Sequence, residues 1–315
     1  MSPIIHPHSP VHRLRQAGAA TAHSPLSARD CAVLDFLWRW KVATTATLHA
    51  ATRGTRTAVA TYQALMRLSR LKLIECQLDK RSCYHYWTLT KTGYNVVRES
   101  LGELKEVGFK SENIWHDLNV VAFHLGHWVS YSGDRVEFFT EQELRRRGRD
   151  YYPEWVPNTG ESRSDGYTRI HSDQGRSWTL AYEVELSAKS LDRYESVIRT
   201  YRMYREVDLV LWMVGSSEIM AQIIRAKSQA RDPEDRYHLF VDHEEYQRAG
   251  WGAQAVNAQG QVVFTFHDFV RGLLGDLPST CPSIAKECHP ILPQFNPRKA
   301  LRREVKTSAA DLAAS

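Results

Sequence analysis

The chain has 315 residues, 43% hydrophobic and 24% charged, long enough for two domains with cores of their own. Its apolar runs fall far short of a membrane span, and no charged start followed by an apolar stretch marks a signal peptide. A cytoplasmic protein without a membrane partner is therefore expected. Net charge is +5, but residues 28–98 carry twelve Lys and Arg against four Asp and Glu, a net of +8, and residues 99–315 are acidic on balance. The five cysteines are sparse and odd in number, which argues for reduced thiols. Cys281, Cys288 and His289 lack the fourth ligand and the tight spacing of a zinc site.

Residues 1–27 hold scattered prolines and histidines without apolar periodicity and read as a disordered arm. Ser27 and Asp30 then suit a capped helix start, with Val33, Leu34, Leu37 and Trp38 as its apolar stripe. Thr44 or Thr45 can cap a short second helix. A turn at Arg53-Gly54-Thr55 leads to a third, whose expected buried side is Val59, Tyr62, Leu65, Met66 and Leu68. Strand, polar turn and strand follow over 71–89, and Thr90 opens one more helix. Helix, short helix, third helix and hairpin is the order of a winged helix-turn-helix, and this module resembles the winged-helix domains of bacterial regulators and plasmid proteins. The third helix would enter a major groove, with the hairpin tip on phosphates. The positions expected to meet duplex DNA are Arg53, Arg56, Thr57, Gln63, Arg67, Lys80 and Arg81. The bland alternative is a small helical domain that binds protein; the basic excess counts against it.

Residues 99–114 read as a linker and 115–275 as a second domain. Periodicity predicts a helix over 116–131, with His116 and Asn119 on one edge. A strand over 135–139 precedes a short basic helix begun by Thr140 and Glu141. Strands are expected over 165–171 and 176–186, a long helix over 189–204, a buried strand over 207–214, and further elements to about 266. A Pro-rich, then basic tail, 276–315, reads as flexible. No repeat, Gly-rich phosphate loop or serine elbow is present.

The run from Trp178 through Glu183-Val-Glu185 to Lys189 carries the chemistry. Two residues apart on a strand, Glu183 and Glu185 project from one face while Tyr182, Val184 and Leu186 take the other. Like charges on one face of a buried strand repel and resist desolvation, and a bound cation relieves both. With Asp165 beside them, the three would form a hard-cation site for Mg2+ or Mn2+. One glutamate simply facing solvent at a strand end is the competing reading.

The order helix, strand, strand with Asp165, strand with Glu183 and Glu185, helix, strand resembles the restriction-endonuclease-like PD-(D/E)xK core. The expected fold class is thus α+β: an N-terminal winged helix followed by an α/β PD-(D/E)xK domain. On that resemblance Asp165 and Glu183 hold the metal. Glu185 stands where lysine is usual, and Lys189 is placed to supply the missing positive charge. His116-x-x-Asn119, Phe-Thr-Glu141-x-Glu-Leu144 and Glu183-Val-Glu185-Leu through Arg193-Tyr194 also resemble the replication-relaxation family, which includes MobC-type mobilisation relaxases. This likeness, over about residues 28–215, adds Glu141 to the acidic set and places Tyr194 alongside. It implies plasmid mobilisation or transposition proteins as partners and leaves homodimerisation open. A covalent mechanism through Tyr201 or Tyr204 is disfavoured, because no His-x-His metal cluster lies near them. A DNA-binding regulator on a degenerate nuclease fold remains the alternative, favoured by Glu185; a carboxylate surface for a partner protein is a weaker third.

Overall fold

The computed structural model describes residues 26–52, 57–79, 84–126, 128, 135–157, 164–172, 175–230 and 238–274. The expected N-terminal arm, apart from Leu26 and Ser27, and the expected C-terminal tail lie outside these residues, as do Cys281, Cys288 and His289. The described part is an α+β protein, with helices leading and a mixed sheet with helices following.

Helix α1 (Ala28–Trp40) starts on the expected capping box: Ser27 accepts from the Asp30 N–H, and Asp30 reaches back to the Ser27 backbone. Helices α2 (Thr45–Ala51) and α3 (Ala58–Arg70) follow, then the antiparallel pair β1 (Ile74–Asp79) and β2 (Tyr84–Leu89), and α4 (Lys91–Arg98). Leu34, Leu37, Trp38, Leu48, Leu65, Leu68, Trp87 and Val97 form one core among these elements. The stretch Leu89-Thr90-x-x-Gly93 shows how this helix start is built. Thr90 donates to Leu73 O through both its N–H and its hydroxyl, and a Cβ on Gly93 would sit 1.9 Å from that same oxygen. Only glycine lets α4 approach the chain entering β1 so closely.

The expected buried side of α3 needs correction. Thr61, Leu65 and Leu68 are its buried residues, whereas Val59 and Tyr62 are 66% and 50% exposed. Arg29 of α1 donates to the Thr61 hydroxyl at 2.6 Å. Thr61 shares one helix stripe with the core residues Leu65 and Leu68, and its hydroxyl finds partners there, so the edge with Val59 and Tyr62 faces outward.

Residues 99–113 of the stretch read as a linker form no helix or strand and are mostly exposed, but they are anchored at particular points. Leu101 and Leu104 join the first core, and Gly108 O accepts from Gln142 of the following domain at 2.9 Å. Helix α5 (Ile114–Val120) continues into a π-helical turn, Val121–Leu125, and stops at Gly126 with φ 44°. The helix predicted over 116–131 is thus shorter and changes winding midway, while Tyr131 lies outside the described residues.

The seven-stranded sheet has the order β3-β4-β5-β6-β7-β8-β9. Its strands are β3 (Val136–Thr140), β4 (Gly166–His171), β5 (Ser177–Glu185), β6 (Leu209–Val214), β7 (His238–Asp242), β8 (Gln254–Val256) and β9 (Val262–Thr265). Pairing is antiparallel from β3 to β5, parallel from β5 to β7, and antiparallel again to β9. Helix α6 (Glu141–Arg146) follows β3; α7 (Leu191–Met203) and α8 (Ser217–Gln229) connect the parallel strands; α9 (His243–Ala249) follows β7, and α10 (Phe266–Leu274) closes the described chain.

Each sheet face has its own core. Leu180, Tyr182, Val184, Leu211 and Met213 pack with Val121 and Phe123 on one side. Tyr167, Ala181, Trp212 and Val214 pack with Tyr194, Ile198, Ile219 and Ile223 of α7 and α8 on the other. A strand buried on both faces loses the plain apolar–polar alternation, as the Leu209–Val214 strand does. Trp40, Val42 and Tyr86 of the N-terminal part belong to the first of these cores, so apolar packing runs from one part into the other.

Candidate functional site

Asp165 stands one step before the last β4–β5 pair, Gly166 with Tyr182, and therefore lies across from Glu183. Its N–H donates to Tyr182 O at 3.0 Å, and its Oδ2 accepts the Val184 N–H at 2.7 Å. Backbone groups of the strand pair thereby fix the carboxylate. The start of β4 is wedged against α5 as well: a Cβ on Gly166 would fall 2.1 Å from His124 Cε1, and His124 Nε2 lies 3.0 Å from Tyr167 O.

Glu183 follows Ala181 onto the α7 face, while Tyr182 and Val184 take the opposite core. Glu183 is 5% exposed and Glu185 2% exposed. The buried Tyr201 hydroxyl of α7 donates to Glu183 Oε1. Lys189, just before α7, donates to Glu185 Oε1 at 2.5 Å, and Glu185 Oε2 is buried without a hydrogen-bond partner among the described residues. Tyr194 accepts the Lys189 N–H at 3.1 Å, which steadies the turn carrying the lysine.

His116 and Asn119 do not share a task. His116 lies 3.5 Å from Asp165 Oδ2 through Nε2 and 3.6 Å from Asp117 Oδ1 through Nδ1. Asn119 instead donates to Trp115 O and meets His243 Nε2, each at 2.8 Å. Glu141 is joined to Asp165 by its N–H, which donates to the Asp165 carbonyl at 3.3 Å. Its carboxylate meets a residue that periodicity and spacing leave unmarked. Lys41, just past α1, places its Nζ 2.5 Å from Glu141 Oε2 and 2.7 Å from Asp117 Oδ1. Arg39 adds a contact to Glu143 at 3.1 Å and donates to Phe138 O at 2.8 Å.

Burial opposes charge on every member of this group, and neighbours decide which stay ionised. On His116 burial is outweighed by Asp165 and Asp117, which push the imidazole up to about 10, so it is cationic at neutral pH. That cation and the Val184 N–H overcome burial at Asp165 and hold its carboxyl below the ordinary range. Glu183 goes the other way: burial, then the Asp165 charge, lift it well above the carboxylate range against the Tyr201 hydrogen bond. Glu185 is raised by burial, with Lys189 opposing. Burial thus draws both glutamates toward their neutral forms, Glu183 the more strongly because the Asp165 charge adds to it, while His116 keeps Asp165 ionised.

The donor chemistry suits a hard cation. Asp165 and Glu183 face each other across one strand pair, and Glu185 keeps an unpartnered buried oxygen. Mg2+ commonly takes one or two protein carboxylates and fills its remaining positions with water and phosphate oxygens. Among the described residues no group of three or more His, Cys, Asp or Glu is placed to hold one ion. The expected three-carboxylate set therefore does not come together: Asp165 and Glu183 are the pair that could share an ion, and Glu185 is engaged by Lys189.

Of the positions expected to meet DNA, Arg53, Arg56, Lys80 and Arg81 lie outside the described residues. Thr57 caps α3, accepting the Ala60 N–H at 3.3 Å, and is exposed, as is Gln63. The Arg67 side chain is 44% exposed but ion-pairs with the buried Asp30. It therefore ties α3 to α1 while remaining partly exposed.

The chain matches no family model, no curated protein and no solved structure.

Proposed function

We propose that this is a sequence-directed DNA-binding protein that cleaves phosphodiester bonds with Mg2+ or Mn2+. In this reading residues 28–98 are a winged helix-turn-helix and 115–275 a PD-(D/E)xK nuclease domain of the kind used by mobilisation relaxases. The observation that carries it is the placement of Asp165 opposite Glu183 on β5, which pairs antiparallel with β4 on one edge and parallel with β6 on the other. The two carboxylates would hold the ion, which when bound would polarise the phosphate and make a water more acidic. Lys189, tethered to Glu185, presents its ammonium to the scissile phosphate. Burial and the Asp165 charge draw Glu183 toward its neutral form, and it would have to be ionised to hold an ion. The outer face of α3, with Thr57, Gln63 and Arg67, selects the duplex, helped by the basic excess of residues 28–98.

A second reading has its own support: Glu183 and Glu185 are already engaged by Tyr201 and Lys189. In it, the same fold serves a regulator that binds DNA and cuts nothing. One experiment separates the two. Purified protein is given supercoiled DNA carrying its own mobilisation region, with Mg2+ or Mn2+. The nuclease reading expects nicking that falls about 100-fold or more in Glu183→Gln while DNA binding persists. Tight DNA binding with no Mn2+ uptake and no nick would establish the regulator.

A further inference from the structure

The carboxylate group does not end within the sheet domain. Lys41 Nζ contacts Asp117 at 2.7 Å and Glu141 at 2.5 Å; Asp117 contacts His116 at 3.6 Å, and His116 contacts Asp165 at 3.5 Å. Lys41 belongs to the N-terminal helical part, and its contacts span 76 residues to Asp117 and 100 to Glu141. Its backbone is also unusual. At φ 63° and ψ −34° it occupies a region that a side-chain-bearing residue adopts only when its surroundings impose it. The same left-handed residue ends α1 and turns its ammonium toward the two carboxylates. Arg39, two residues earlier, pins α1 to Glu143 and to Phe138 O.

We infer that Lys41 is a positioning residue for the cation site: through Asp117 and His116 it fixes Asp165, so that the N-terminal module completes the site that the sheet domain begins. This rests on reading Asp165 as a cation ligand, as proposed above. The physical logic is a chain of alternating charges. Without the ammonium, Asp117 and Glu141 face each other with no cation between them, and Asp117 relaxes away from its neighbours. His116 then loses one of the two carboxylates that orient its ring. Groups that orient a ligand typically change metal affinity about 10–100-fold when removed. A consequence for DNA processing follows: docking of the helical module and assembly of the site are one event.

The test uses the full chain as wild type, Lys41→Met and Lys41→Arg, with two readouts. The first is hydrogen exchange of the Val184 amide, whose acceptor is Asp165 Oδ2 at 2.7 Å, so it reports the aspartate directly. The second is Mn2+ affinity by calorimetry. Lys41→Met should speed Val184 exchange about tenfold relative to the Leu180 and Tyr182 amides, and weaken Mn2+ binding about 10–100-fold. Lys41→Arg, which keeps the charge, should recover most of both. Asp117→Asn, close in size, should act like Lys41→Met and serves if the latter does not fold. Unchanged Val184 exchange in the charge-removing variants overturns the inference. So does acceleration by one common factor at all three amides, which marks general loosening. Should wild type bind no Mn2+ at all, the metal reading fails alone, and Val184 exchange still decides whether Lys41 positions Asp165.

Discussion

Acid should weaken this fold through one buried ring. His124 sits on the π-helical turn, fully buried, with Nε2 against Tyr167 O at 3.0 Å. Burial holds its imidazole down, from an ordinary 6.5 to about 3. The folded state thus keeps the ring neutral, while the unfolded chain takes up a proton below 6.5. Stability from this group is fully present above 6.5 and is lost as pH falls toward 3. Each unit of pKa difference corresponds to about 1.4 kcal/mol, so passing from pH 7 to pH 5 should cost about 2 kcal/mol. The limit near pH 3 is on the order of 5 kcal/mol. Urea unfolding of wild type and His124→Gln at both pH values isolates the effect, because every other titrating group is common to the two proteins. The variant should start less stable but lack about 2 kcal/mol of the pH-dependent loss. Equal losses in both proteins, with unchanged urea slopes, would refute a neutral His124 as the wedge behind β4.

Three further predictions test other parts of the structure. Gly166→Ala places a Cβ 2.1 Å from His124 Cε1 and should destabilise by about 1–3 kcal/mol in the same urea assay. Tyr201→Phe leaves buried Glu183 Oε1 without its donor and should cost about 1–3 kcal/mol by thermal or urea unfolding. On α3, Tyr62→Ser should change stability by no more than about 0.5 kcal/mol, whereas Leu65→Ala, fully buried, should cost about 2–5 kcal/mol. The reverse order would restore Tyr62 to the core.

Much of the local structure could be read directly from residue order. The Ser27–Asp30 box, the alternation along 177–185 and the amphipathic stretch before Tyr204 depend on neighbours within a few positions. Strand and helix periods therefore expose them. The same period put Glu183 and Glu185 on one face. Periodicity failed where two faces competed. Val59 and Tyr62 are apolar at helical spacing, yet the Thr61 edge turns inward with Leu65 and Leu68, and Arg29 satisfies the Thr61 hydroxyl there. Residues 121–125 read as ordinary helix, and only packing against the sheet reveals the wider turn that brings His124 onto Gly166.

The site's charges divide the same way. Spacing brought out Glu183 and Glu185 with Asp165 beside them, because carboxylates on a buried strand are conspicuous, whereas Lys189 and Glu141 were marked only by the family resemblance. Their partners were hidden, since an ion pair leaves no local pattern when its members lie far apart in the chain. Lys41 lies 100 residues before Glu141, and Tyr201 reaches Glu183 from the next helix. Which carboxyl stays charged then follows from those partners: the His116 cation keeps Asp165 ionised, and burial beside that charge lifts Glu183. The acidic residue types and their shared face are properties of the sequence. Their protonation is a property of the packed molecule, because only packing sets which charges stand beside them and how much water is left.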